Sequence, residues 1–317
     1  MRILAIAAAV SLHLLPAQQI EARRFLPDDY ENVVHVDLQR LRDSGVWDEL
    51  QTGAAKLMLA ALEREAGVPL ADLDRVTTVA RIPASGPSGR EPQPQQVILL
   101  EGNAALPMPE HVATGQRYYQ DTIGEFEVMR REKPRDEVFA QPAPELQVIG
   151  STALLRGPLE GHPNTGMPCA DILSLLSGKG SDLLHIAVHT DNEFLQRRFV
   201  GKILPGVEWP ADDAIAYVML ELRAIGDPDD PHVHLGVVLR HTKVGDGIEV
   251  TEQAARAWLA HVAEQPKLRL AAPLLQRATI RRDRGDLVLK LDLGRARDAG
   301  GNIAMIAVPL LGYDAGK

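Results

Sequence analysis

The chain has 317 residues, of which 45% are hydrophobic and only 4% are aromatic, and its formal net charge is -9. This length is enough for one large or two small domains, and the core must consist mainly of aliphatic side chains. The acidic balance argues against a surface that coats nucleic acid or adheres to anionic lipid. The single cysteine, Cys169, excludes an intrachain disulfide and a cysteine-rich zinc site.

The first residues, 1–17, are typical of a cleaved signal peptide. Arg2 supplies a positive charge, residues 3–15 are apolar, and Ala17 precedes a polar stretch. The apolar run is shorter than the roughly 20 residues that a bilayer-spanning helix needs. We therefore expect export to the periplasm or the extracellular space, with no membrane span after cleavage. A buried N-terminal helix or strand is the alternative interpretation.

The segment 25–205 is predicted to form an N-terminal α+β domain. Apolar residues spaced three and four apart predict one long helix over 43–66 that ends at Gly67, and its apolar stripe suits core packing or, alternatively, a partner-binding groove. A proline-rich loop separates two strands, which predicts an antiparallel hairpin. The main strands are predicted over 32–38, 76–82, 97–100 and 183–189.

A change in composition near 205–210 predicts a boundary before a C-terminal α+β domain over 211–317. Two hairpins are predicted here, one around an Asp- and Pro-rich turn and one around a charged turn that contains Gly285. The sequence thus predicts an α+β fold with largely antiparallel sheets, helices packed on one face, and two similar-sized halves. The predicted elements are strands over 214–225, 233–244, 279–282 and 287–293, and helices over 251–265 and 303–311.

Histidines provide the best candidate metal ligands. His232 and His234 are two residues apart in a predicted strand, so both side chains lie on one face. Asp230 or its neighbour Asp229 in the adjoining turn can add a carboxylate. This pattern favours zinc as the metal. His35 and His185 also alternate with apolar residues, so imidazoles would gather on one face if these strands shared a sheet. The alternative is a set of separate histidines on solvent-facing sides of strands.

Two other constellations have simpler structural explanations. The acidic turn 227–231 lacks the glycine and the bidentate glutamate of a calcium loop, and an ordinary hairpin turn explains it. Cys169 follows His162 in the chain, but a reactive thiolate needs a base held close in space, so an idle thiol is the competing interpretation. The sequence contains no G-x-S-x-G elbow, no P-loop and no G-x-G-x-x-G unit, so no catalytic residue is assigned.

The segments 25–50 and 67–82 resemble those of uncharacterised exported bacterial proteins of planctomycete type. The matching features are Pro27, the valine-rich strand 33–38, the Trp47 and Leu50 pair, and 73–77, and a later match over 147–161 extends the resemblance to about half of the chain. The resemblance implies export, but it implies no established activity and supplies no catalytic residues.

These observations favour a non-catalytic extracytoplasmic protein that binds or scaffolds an unknown protein or envelope component. No cofactor is required by this interpretation. The alternative is a metal-dependent hydrolase in which His232, His234 and a nearby carboxylate hold zinc.

Overall fold

A computed structural model describes the chain from residue 22 to residue 311, with gaps. The gaps are 28–29, 31, 53–55, 57–58, 61–62, 65, 82–94, 115–116, 133–135, 163–181, 190–206, 208–212, 228 and 244. The predicted signal peptide and Cys169 therefore lie outside the described residues. Among the described residues, no helix has the length and apolar character required to cross a bilayer.

Within the described residues, the fold is organised around one sheet of twelve strands in the order β11-β12-β10-β9-β8-β1-β2-β3-β7-β6-β5-β4. Neighbouring strands are antiparallel throughout, from the β1–β2 pair to the β8–β9 pair. The strands are β1 (Asn32–Asp37), β2 (Leu73–Arg81), β3 (Gln95–Gly102), β4 (Tyr119–Ile123), β5 (Phe126–Arg131), β6 (Glu137–Ala143), β7 (Leu146–Gly150), β8 (Asp182–His189), β9 (Ile215–Ile225), β10 (His232–His241), β11 (Thr279–Asp283) and β12 (Asp286–Arg295).

Helices lie against both faces of this sheet, with most of them on one face. In β3, Ile98 and Leu100 contact the main helical layer, whereas Val97 and Leu99 point to the opposite face, where Leu155 packs. The helices are α1 (Leu38–Asp43), α2 (Val46–Leu50), α3 (Glu110–Ala113), α4 (Thr152–Leu159), α5 (Gly247–His261), α6 (Ala272–Leu275) and α7 (Ala296–Leu311). Among these described helices, only α4 packs against the second face.

The predicted α+β class with largely antiparallel pairing is confirmed. The two predicted domains share the sheet, because β8 precedes the predicted boundary, β9 follows it, and the two strands pair from Asp182 to His189. Three predicted hairpins are present as β2–β3, β9–β10 and β11–β12.

The predicted single helix over 43–66 is wrong at its start. Helix α1 ends at Asp43, and Gly45 adopts φ +74° before α2 begins at Val46. This left-handed conformation interrupts the helical backbone, and it is one that glycine adopts without steric cost. Helical structure reappears at residues 56, 59, 60, 63, 64 and 66, and Gly67, with φ +72°, ends it as predicted.

Candidate functional site

The structure brings His232 and His234 together on one face of β10. Their ring centroids are 6.4 Å apart. The neighbouring carboxylate is Asp292 of β12, whose oxygens lie 3.4 Å from Nδ1 of His232. One ligand atom from each of the three side chains lies within 4.8 Å of the others. The geometry of a three-ligand cluster is therefore present on two adjacent strands.

Asp230, the carboxylate predicted from the sequence, takes a different role. It forms an ion pair with Arg295, and its backbone N–H donates to the carbonyl oxygen of Asp227. The Asp227 carboxylate in turn accepts the N–H of Asp229 at 3.1 Å, which is the geometry of an ordinary hairpin turn. The structure thus groups the two predicted histidines with Asp292, and it groups Asp230 with the turn.

A β-bulge in β12 positions Asp292. His232 lies opposite Arg295 and His234 lies opposite Asp292, so β12 carries one extra residue between these two pairs. Gly294 occupies the bulge with φ +88°, and its N–H donates to Oδ1 of Asp292 at 2.8 Å. Burial alone would raise the pKa of the Asp292 carboxyl group. The Gly294 N–H and the two histidines stabilise its charged form more strongly, so the pKa lies below its ordinary value.

A second group of polar side chains forms a row across the centre of the sheet. His35 of β1 lies opposite Thr77 of β2 on one side and His185 of β8 on the other, and His185 lies opposite Glu221 of β9. Side chains directly opposite each other share a face. Glu221 in turn lies opposite Gly236 on β10. The histidine-bearing strands β1 and β8 therefore adjoin, while β9 separates them from β10.

The members of this row differ in their hydrogen bonding. Nδ1 of His35 lies 2.8 Å from Oγ1 of Thr77, whereas both ring nitrogens of the buried His185 lack a hydrogen-bond partner among the residues that the structure describes. Burial lowers the pKa of His185, with Asp182 opposing the shift and Arg223 adding to it. Burial also raises the pKa of Glu221, although Arg223 lies 2.9 Å from its carboxylate and opposes the shift.

A third polar cluster was missed by sequence reasoning. Asp213 Oδ1 lies 3.2 Å from Nδ1 of His241, and Nε2 of His241 lies 3.0 Å from the Thr251 hydroxyl. The order carboxylate, imidazole, hydroxyl resembles a nucleophilic triad. However, the three residues are 5% exposed or less. Asp213 also accepts the N–H of Gly247 at 2.7 Å, and Thr251 lies 3.0 Å from the Gly247 carbonyl oxygen, so the cluster fixes the start of α5.

A groove of about 820 Å³ opens on the helical layer, in the size range of ligand-binding pockets. Its apolar lining includes Trp47, Leu59 and Leu70, and charged side chains surround them. Sequence reasoning noted the apolar stripe that contains Trp47, but it did not predict that α3 and the segment 67–70 form the second wall. The full lining is Trp47, Gln51, Lys56, Leu59, Ala60, Glu63, Arg64, Gly67, Val68, Pro69, Leu70, Glu110, His111 and Thr114.

A second cleft, of about 600 Å³, lies between the end of β10 and the β11–β12 hairpin. Arg240 contacts both carboxylate oxygens of Asp286 there, at 2.9 and 3.1 Å. His162, the predicted neighbour of Cys169, is exposed and lies 3.7 Å from the Glu160 carboxylate.

The chain is similar in structure to TP0453. Crystal form I of TP0453 matches with a TM-score of 0.48 and 11% identity, covering 90% of this chain and 98% of that chain. Crystal form III matches with a TM-score of 0.45 and 10% identity, covering 89% of this chain and 97% of that chain. No protein-family model matches the chain, and neither does any curated protein.

Proposed function

We propose that this chain is an exported, non-catalytic binding protein that holds a segment of a partner protein in the groove on its helical layer. The groove carries the proposal, because its lining combines apolar side chains with exposed charged side chains and it is open to solvent. Recognition sites typically have this composition, in which apolar contacts supply affinity and a few polar groups set the orientation.

The groove lining favours an amphipathic protein segment as the occupant. Trp47 and Leu59 are half-buried, so the groove offers exposed apolar surface to anchor side chains. The lining carries both signs of charge, with Lys56 and Arg64 as cations and Glu63 and Glu110 as anions. A segment that places apolar side chains on one face and mixed charges on the other complements both parts of the groove.

The sealed triad-like cluster supports a non-catalytic function. A nucleophile must reach its substrate, yet Thr251 is 0% exposed and its hydroxyl lies within the start of α5. The cluster is accounted for by its bonds to the backbone of Gly247, which stabilise the loop before α5. No separate catalytic role is needed to explain why these polar groups are buried together.

The proposed location outside the cytoplasm depends on the N-terminal residues. Arg2 followed by the apolar run 3–15 predicts recognition by an export system and cleavage after Ala17. Fractionation of cells that produce the chain, followed by N-terminal sequencing, tests this part. Protein recovered outside the cytoplasm and beginning at Gln18 would agree with it, whereas intact Met1 in cytosolic protein would contradict it.

Peptide selection on phage tests the groove directly, with Leu59→Glu as the groove variant and Leu270→Glu as the matched control. Leu270 is 83% exposed and does not line the groove, so its replacement adds the same charge elsewhere. We expect amphipathic peptides that bind the wild-type chain and the Leu270→Glu chain but lose at least about tenfold in affinity for Leu59→Glu. Peptides that bind all three chains equally would overturn the groove proposal.

The alternative, a metal-dependent hydrolase, is favoured only by the presence of the His232–His234–Asp292 cluster. These residues line neither the groove on the helical layer nor the cleft beside the β11–β12 hairpin. A hydrolase requires a substrate pocket beside the metal, so the cluster supports metal binding more directly than it supports turnover. Turnover of general hydrolase substrates that is abolished by His234→Ala would establish the alternative and would overturn the non-catalytic proposal.

A further inference from the structure

We propose that His232, His234 and Asp292 bind one exchangeable divalent transition-metal ion of the zinc class on the face of the β9–β10–β12 sheet region that lies away from the main helical layer. This site goes beyond the proposed groove function and lies on the opposite side of the sheet. His232 and His234 alternate along β10 with Val233 and Leu235, which pack into the helical layer that also contains the groove.

The distances suit a zinc ion with small side-chain adjustments. Two ligands at about 2.1 Å from a tetrahedral zinc are about 3.4 Å apart. The separation between His232 Nδ1 and the Asp292 carboxylate is also 3.4 Å. One ligand atom from each of the three side chains lies within 4.8 Å of the others, so side-chain movements of about 1.5 Å bring the set to this spacing. His234 and Asp292 are half-buried and His232 is exposed, which leaves room for this movement.

The backbone holds the carboxylate in place before any ion arrives. The N–H of Gly294 donates to Oδ1 of Asp292 at 2.8 Å, and the Asn302 side chain donates to the carbonyl oxygen of Leu293 in the same bulge. Hydrogen bonds of this kind orient metal ligands and limit the rearrangement that binding requires. A histidine–carboxylate ion pair would also explain a 3.4 Å contact, and a zinc titration separates the two explanations.

Two of the nearby cations are already paired with carboxylates, which weakens their repulsion of a metal ion. The third, Lys290, lies two residues before Asp292 on β12 and is exposed to solvent. Arg295, opposite His232, forms an ion pair with Asp230. Arg223, opposite His234, lies 2.7 Å from Asp182 and 2.9 Å from Glu221. Asp292 therefore contributes its negative charge to the cluster without a guanidinium partner among the ion pairs of the described residues.

The donor set selects the class of metal. Two imidazoles and one carboxylate suit Zn²⁺, Cu²⁺ or Ni²⁺, whereas Ca²⁺ and Mg²⁺ prefer sites made of oxygen ligands. Three protein ligands leave at least one coordination position for water or for a donor from another molecule. Because the cluster faces solvent, we expect the ion to exchange rapidly with chelators.

Zinc titration of the full chain against a chromophoric zinc indicator tests the proposal. We expect one zinc ion per chain, and more than about tenfold weaker binding in His234→Ala and Asp292→Asn, because each removes one ligand. Asp283→Asn and His261→Ala are the matched controls, since they remove an exposed carboxylate and an exposed imidazole outside the cluster, and both should change the affinity less than about twofold.

Circular dichroism and metal-free thermal unfolding verify that each variant is folded. If His234→Ala fails to fold, Asp292→Asn alone decides the outcome, because it preserves the shape of the side chain. Zinc binding that is unchanged in both ligand variants, or no binding at one equivalent of zinc, would overturn the proposal. An excess of Ca²⁺ or Mg²⁺ that displaced zinc would also overturn it.

Discussion

His35 and His185 lie directly opposite each other on β1 and β8, yet of these two only His35 has a ring nitrogen hydrogen-bonded to another described residue. Nδ1 of His35 lies 2.8 Å from the Thr77 hydroxyl, while His185 is 1% exposed and neither of its nitrogens bonds to a residue in the described ranges. An unsatisfied buried polar group costs about 1–3 kcal/mol of stability. The pair therefore combines a stabilising and a destabilising imidazole at adjacent positions of one sheet.

Replacing His185 with Leu should stabilise the protein, because it removes two unsatisfied polar atoms and retains the side-chain volume. We expect the free energy of unfolding at pH 7.5 to rise by about 1–3 kcal/mol in urea denaturation. His35→Leu is the matched control and should lower it by about 1 kcal/mol, since it breaks the contact with Thr77. A loss of stability in His185→Leu equal to that in His35→Leu would contradict this account of the pair.

His185→Leu should also change the pH dependence of the free energy of unfolding. Burial lowers the pKa of His185 in the folded protein below its ordinary value of about 6.5. Below about pH 6.5 the unfolded chain binds a proton that the folded chain does not, so the wild-type protein loses stability as the pH falls. We expect the difference in free energy of unfolding between His185→Leu and the wild-type chain to grow as the pH falls from 7.5 to 5.5, by up to about 1.4 kcal/mol per pH unit. An advantage that is constant over this range would contradict the lowered pKa.

The hairpins could be predicted from the sequence because their signals are local. The charged turn at Gly285 and the turn 226–231 separate strands that pair with each other, and pairing across a short turn follows from chain connectivity. Pairing between distant strands leaves no such signal. The adjacency of His35 and His185 requires β1 to pair with β8, and short-range reasoning contains no information on that register.

The candidate metal site shows the same limit. Asp230 was the predicted carboxylate because it is two residues from His232 in the chain, whereas Asp292 reaches the histidines through β10–β12 pairing and a bulge. The alternation of β10 was enough to place both histidines on one face. The third ligand depends on long-range pairing and on the conformation of Gly294, neither of which is visible in the residues around His232.

The buried Asp213–His241–Thr251 cluster should contribute to folding stability. Thr251→Val preserves the side-chain shape but removes the hydroxyl that lies 3.0 Å from both His241 and the Gly247 carbonyl oxygen. We expect the free energy of unfolding to fall by about 1–3 kcal/mol in urea denaturation, because the imidazole loses a buried partner. Thr279→Val, at an exposed position, should change it by less than about 0.5 kcal/mol. Equal effects of the two substitutions would show that the cluster is not structural.

The bulge at Gly294 should couple stability to zinc binding. Gly294→Ala places a side chain at φ +88° but meets only ordinary contacts, so the backbone conformation alone should cost about 1–3 kcal/mol. Because the Gly294 N–H orients Asp292, we also expect weaker zinc binding in the indicator titration. Gly301→Ala, a helical position with open space, should leave zinc binding unchanged and stability equal or higher. Full zinc affinity in a destabilised Gly294→Ala chain would show that the bulge does not position the carboxylate.

The break between α1 and α2 should tolerate a side chain better than the β4–β5 turn does. Gly45 has φ +74°, and a Cβ at this position would meet no atom within 4 Å, so Gly45→Ala should cost only the backbone strain of about 1–3 kcal/mol. Gly124 has φ +60°, and a Cβ there would collide with the carbonyl oxygen of Leu159, so Gly124→Ala should cost more than about 3 kcal/mol. Thermal unfolding ranks the two variants, with Gly157→Ala in α4 as the open-space control. A larger loss of thermal stability in Gly45→Ala than in Gly124→Ala would contradict this ranking.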